Sequence, residues 1–139
     1  MRLISVFLFI IPSLVLSQTI NSSCESRVDT LTNSTYYLDV DKPAKIIDGK
    51  NSLFKEISKK IIINQESKRL GLDGVKLIIT YLITEKGEVT GVRFMRGEEQ
   101  LQNKAEILSI IEKKKWIPAT CNDKNVTSLQ VFSLQLCYK

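Results

Sequence analysis

The fold turns on one stretch: Gly74-Val75-Lys76-Leu77-Ile78-Ile79-Thr80-Tyr81-Leu82-Ile83-Thr84, then Glu85-Lys86-Gly87, then Glu88-Val89-Thr90-Gly91-Val92-Arg93-Phe94-Met95-Arg96-Gly97. Val75, Leu77, Ile79, Tyr81 and Ile83 recur every second residue, the period of a strand with one buried face. Ile78 and Leu82 make its other face partly apolar, which favours a central position in a sheet. The Gly87 turn reverses the chain into a second strand, with Val92 and Phe94 on one face and Val89 and Met95 on the other. Two β-rich runs around a short glycine-containing turn read as a hairpin.

Working upstream, Leu53, Ile57 and Ile61 recur every four residues, widened by Phe54, and specify an amphipathic helix capped by Asn51 or Ser52. Residues 64–74 read as a polar connection. Downstream, Leu101, Ala105, Leu108 and Ile111 give a second helix through about Lys115. Trp116-Ile117-Pro118 ends it, because proline disfavours helix in the residue before it. Asn122-Asp123-Lys124-Asn125 is turn chemistry, and Val126 to Tyr138 is a long final strand.

The order helix, strand, strand, helix, strand specifies an α+β domain. A helix between the second and third strands implies a right-handed parallel crossover. With the first strand central, the expected sheet is three-stranded and antiparallel or mixed, in the order 2-1-3, with two helices on one face. The final strand is then an open edge, and no lysine stands between Val126 and Tyr138 to protect it.

At the other end of the chain, Arg2 precedes an apolar run from Leu3 to Leu16, followed by Ser17-Gln18. That is shorter than the roughly 20 residues a spanning helix needs, and it has the proportions of a signal peptide, 1–17. An uncleaved anchor is the alternative. Cleavage leaves about 120 residues, the size of one domain. Residues 18–39, rich in Ser, Thr and Asn, read as a flexible lead-in, and 40–139 as the domain. An exported chain meets an oxidising compartment, so Cys24, Cys121 and Cys137 can form one disulfide. Cys121 and Cys137 flank a strand too long to bridge, which leaves Cys24 bonded to one of the two.

Composition excludes several chemistries. The formal charge is +5, with no dense basic stretch of the kind nucleic acids require. Lys113-Lys114-Lys115 fits a helix C-terminus. There is no histidine, the commonest general base and metal ligand. No paired carboxylate motif and no Cys-x-x-Cys pair replaces it. Asp39, Asp41 and Asp48 lack the interleaved spacing of a calcium loop and read as a solvated acidic face. Gly71-x-x-Gly74 lacks the Gly-Lys-Ser/Thr of a phosphate loop. Neither an enzyme nor a cofactor site is expected.

Several of these motifs together carry a resemblance. Gly71-Leu72-Asp73-Gly74-Val75, the alternating strand, Glu85-Lys86-Gly87-Glu88-Val89, Arg93 to Gly97, a helix, and Trp116-Ile117-Pro118-Ala119 follow in one order. Asp41-Lys42-Pro43 and Asp48-Gly49 precede them. Over residues 40–139 the chain resembles the C-terminal domain of TonB. The chain departs from energy-transducing members in having only three prolines, hence no proline-rich spacer, and Asn64-Gln65-Glu66 where a Tyr-Pro pair is expected.

The resemblance implies a periplasmic or secreted module that binds a protein or peptide segment, such as part of an outer-membrane receptor, and meets the membrane only indirectly. Leu129, Gln130, Val131, Phe132, Ser133, Leu134 and Gln135 on the final strand are the expected contact, by strand addition. Gly74, Gly87, Trp116 and Pro118 are expected to be structural. The rival expectation is homodimerisation through the same edge.

Overall fold

The computed structural model describes residues 24–137; the expected leader, 1–17, and the start of the lead-in lie outside them. In chain order the elements are β1 (Ser26–Val28), β2 (Thr35–Tyr37), β3 (Lys45–Ile46), α1 (Lys50–Lys60), α2 (Gln65–Arg69) and β4 (Gly74–Ile83). There follow β5 (Val89–Arg96), a 3-10 turn (Glu98–Gln100), α3 (Lys104–Glu112), β6 (Trp116–Ile117), β7 (Ala119–Cys121), β8 (Lys124–Val126) and β9 (Ser128–Cys137). The fold is mixed α+β, with a mostly antiparallel five-stranded sheet in the order β1-β2-β9-β4-β5.

β4 is central. It pairs antiparallel with β5 on one side and with all of β9 on the other, from Gly74–Cys137 to Ile83–Ser128. Its alternating residues Val75, Leu77, Ile79, Tyr81 and Ile83 are buried with Leu53 and Ile57 of α1 and with Ile107 and Ile111 of α3. Both longer helices therefore cover the same face, and Lys114, just after α3, pairs with Glu56 within α1 at 2.6 Å and with Asp48, just before α1, at 3.7 Å.

Three strands were expected in the sheet, and there are five. The two additional ones come from the segment read as a flexible lead-in. Asp29, after β1, is buried and pairs with Arg93 on β5 at 2.6 Å, while Thr32 donates to the same carboxylate from its backbone N–H and its hydroxyl. Burial pushes the Asp29 carboxyl up, but the bonds from Arg93 and Thr32 outweigh it and hold the group below its ordinary value. A disulfide, Cys24–Cys121, fastens the start of the segment, with Cα atoms 6.4 Å apart. Cys137 is free and exposed. Of the two bridges the sequence left open, the one to Cys121 forms.

Other departures have local causes. Gly49, not Asn51 or Ser52, is the N-cap of α1, and no side chain caps that end. The polar connection contains α2, capped by Asn64, whose side chain accepts from the Ser67 N–H at 2.8 Å. In α3 the buried line is Ile107 and Ile111, while Ala105 is exposed. Leu101 precedes the helix and bridges to Ile63 instead. β5 contains two register shifts, which reset the two-residue alternation. Val89, Val92 and Phe94 therefore all pack on the core, and Met95 projects, 63% exposed. The expected final strand is split. Val126 belongs to a hairpin with β7, whose loop residues Asn122 and Asp123 both have positive φ, and β9 begins at Ser128.

Candidate functional site: the outer side of β9 and the cavity beside it

The inner side of β9 is fully committed to β4. On its outer side β2 runs parallel and makes a single bridge, Tyr37 to Ser128, supported by the Tyr37 N–H donating to the Thr127 carbonyl at 2.9 Å. Beyond Ser128 no described strand pairs with the outer side of β9. The expectation that β9 is the last strand of the sheet is corrected: it is an interior strand at Ser128 and is open from Leu129 onward.

Along the open part the pairing with β4 fixes which way each side chain points. Phe132 opposite Ile79 and Leu134 opposite Leu77 are buried on the helix face, as is the start of the strand, Ser128 opposite Ile83. Gln130, opposite Tyr81, points to the same face and is half-buried. Val131, Ser133 and Gln135 point to the opposite face and are exposed, Val131 at 58%, while Leu129 is half-buried there. The seven sequence-expected contact residues thus sit on one open strand, divided between its two faces.

On the helix face a cavity of about 170 Å³ lies between α1 and the middle of β9. Lys50, Leu53 and Phe54 line it from α1, Tyr81 from β4, Trp116 from β6, and Gln130 to Ser133 from β9. The Phe54 and Phe132 rings lie 6.3 Å apart, and Tyr81 and Trp116 5.8 Å apart, both pairs tilted. Such offset aromatic geometry is favourable beyond its buried area. Burial pushes the Tyr81 phenol up to about 12. Trp116 is only 5% exposed, and its indole N–H is buried without a partner among the described residues. Lys50 is exposed and makes no ion pair among the described residues.

Trp116 is held in place by the hairpin turn. Its backbone N–H donates to the Gly87 carbonyl at 3.0 Å, and Gly87 has φ +78. A Cβ at Gly87 would stand 2.0 Å from the Trp116 carbonyl oxygen, so both conformation and space require glycine there. Pro118 packs beside the same turn. A Cβ on Gly74 would meet the Leu136 carbonyl at 2.6 Å, where β4 and β9 approach each other closely. The cavity itself escaped sequence reasoning: Lys50 and Tyr81 carried no signal of a site, and Phe54 only broadened an apolar stripe.

Asp41 lies within 4.8 Å of the Cys24 and Cys121 sulfurs, but the bridge occupies both thiols, and the Asp41 carboxylate accepts from the Asn122 N–H at 2.7 Å. Among the described residues no helix is long and apolar enough to cross a membrane. A scan against protein-family models finds no match, and a search of curated proteins finds none either.

Proposed function

We propose that residues 40–139, with β1 and β2 of the preceding segment added to their sheet, form a TonB C-terminal-like protein-binding module, exported to the periplasm or secreted, that holds an extended peptide segment by strand addition along Leu129–Gln135. The observation that carries this reading is the asymmetry of β9, paired along its whole inner side and at Ser128 alone on its outer side. Unpaired strand N–H and C=O groups are a template for another strand, and the exposed edge carries no charged side chain to repel one. Main-chain hydrogen bonds supply affinity in this mode, and alternate side chains supply selectivity. A segment of an outer-membrane receptor is the partner that the resemblance favours. The module works by binding, without catalysis or a cofactor.

Proline tests the edge directly, because it removes one donor. Single prolines at Leu129, Gln130, Val131, Phe132 and Ser133 are expected to alternate in effect. Those that remove an N–H pointing toward β4 unfold the domain. Those that remove an outward N–H leave it folded, by circular dichroism, and abolish capture of extended peptides. Folded variants that still bind as the parent does would end the strand-addition reading. A parent that self-associates with rising concentration and takes up no peptide favours the homodimer instead.

A further inference from the structure

The cavity under α1 opens against Gln130 to Ser133, within the stretch proposed for strand addition. We propose that it is an anchor pocket for one bulky apolar side chain of the added segment, and that this partner segment carries an acidic residue two positions from the anchor, on the same face and drawn to Lys50. This rests on the strand-addition reading and names the chemistry of the partner.

Geometry supplies the first argument. Side chains of an added strand alternate between the two faces of the sheet. The cavity lies on the helix face, where Gln130 and Phe132 point, so one alternate residue of a guest opposite them stands over its mouth. Size supplies the second. About 170 Å³ falls below the roughly 300–1,000 Å³ of sites for whole small molecules, and suits a single side chain. Leu53, Phe54, Tyr81 and Trp116 make the wall apolar and aromatic, the kind of surface that rewards burial of a large side chain.

Charge supplies the third argument. Lys50 is the one charged residue lining the cavity, it is unpaired among the described residues, and Leu129–Cys137 carries no charge to balance it. A second copy of the chain paired through its own β9 fits poorly. On the helix face that strand offers Gln130, Phe132 and Leu134, and the last two are already buried in their own core.

The test selects random linear peptides of about a dozen residues, displayed on phage, against the exported full chain under non-reducing conditions. Bound sequences are then synthesised and scanned with alanine. The expected result is one anchor position whose replacement by alanine weakens binding about thirtyfold, with an acidic residue two positions away. Lys50→Glu is expected to weaken acidic peptides about fivefold, and Phe54→Ala to shift the preferred anchor to larger side chains. Both positions are exposed, so the fold is retained, and circular dichroism checks it. Peptides that bind in an edge-proline-sensitive way but show no anchor position, or ignore both variants, overturn the pocket and leave strand addition standing. Binding indifferent to the edge prolines overturns both. Self-association that excludes every peptide makes a second copy the occupant and overturns the proposal.

Discussion

Replacing Trp116 by alanine and by phenylalanine separates two opposing contributions of the same side chain. The ring is almost wholly buried against Tyr81, and truncating a buried tryptophan to alanine costs about 3–5 kcal/mol. Its indole N–H, however, is buried with no partner among the described residues, and an unsatisfied buried donor carries a penalty of about 1–3 kcal/mol in the folded state. Removing the ring also removes that penalty, so Trp116→Ala is expected near the low end, a loss of about 2–4 kcal/mol. Trp116→Phe keeps the aromatic contact and deletes the donor, and its stability is expected within about 1 kcal/mol of the parent. The backbone bond to Gly87 survives in both. Urea unfolding followed by far-UV circular dichroism, with the disulfide intact, reads both. At a slope of about 2 kcal/mol per molar, the middle of the usual range, the alanine variant moves the midpoint by about 1–2 M. If Trp116→Phe loses as much as Trp116→Ala, the indole nitrogen is satisfied in solution and the accounting is wrong.

Three further predictions rest on titratable and covalent groups. Tyr81 keeps its proton in the folded state up to about 12, while an unfolded tyrosine loses it near 10. Stability from this group is therefore full below pH 10 and falls by about 2 kcal/mol as pH rises to 12, a decline that Tyr81→Phe removes from the pH-stability curve. Asp29 has a lowered value, so its contribution is present above the ordinary carboxylate range and is lost as pH falls through the folded value. Asp29→Asn is expected to cost about 2 kcal/mol at neutral pH, a difference that narrows in acid, and to raise hydrogen exchange in β1 and β2. The native protein should show one reactive thiol, Cys137, and three after reduction in denaturant. Reducing Cys24–Cys121 is expected to lower stability by about 2–4 kcal/mol.

Sequence periodicity exposed what is local. The β4–β5 hairpin and α1 follow from residues within a few positions of one another, and both are present; α3, expected through about Lys115, ends already at Glu112, and Trp116–Ile117 is a strand paired with β3. β1 and β2 were hidden because what orders them is distant: Arg93 for Asp29, Cys121 for Cys24. The phase of α3 was misread because Leu101 bridges to Ile63 rather than starting the helix, and two bulges spoiled the alternation of β5. The open side of the final strand was read from the expected 2-1-3 order, which holds for β5, β4 and β9 but missed β2, whose one bridge closes that side at Ser128. The cavity was not legible, since α1, β4, β6 and β9 each contribute a wall and none carries a pattern of its own.

The position of β9 between β4 and β2 also governs how the chain reaches its structure. The longest pairing in the sheet joins β4 to a strand that arrives only after β5, α3 and the β7–β8 hairpin have been passed. The β4–β5 hairpin and α1 can form early, from neighbouring residues, but one whole hydrogen-bonding edge of β4 stays unpaired until the distant strand returns. Loop closure of that span must come before its contacts stabilise anything, so folding is slow for a domain this small. While β9 is still free, the open edge of β4 and the unpaired strand β9 are both exposed at once. Two open strand edges in one partly folded chain are a template for pairing between chains, which the native pairing of β4 with β9 removes.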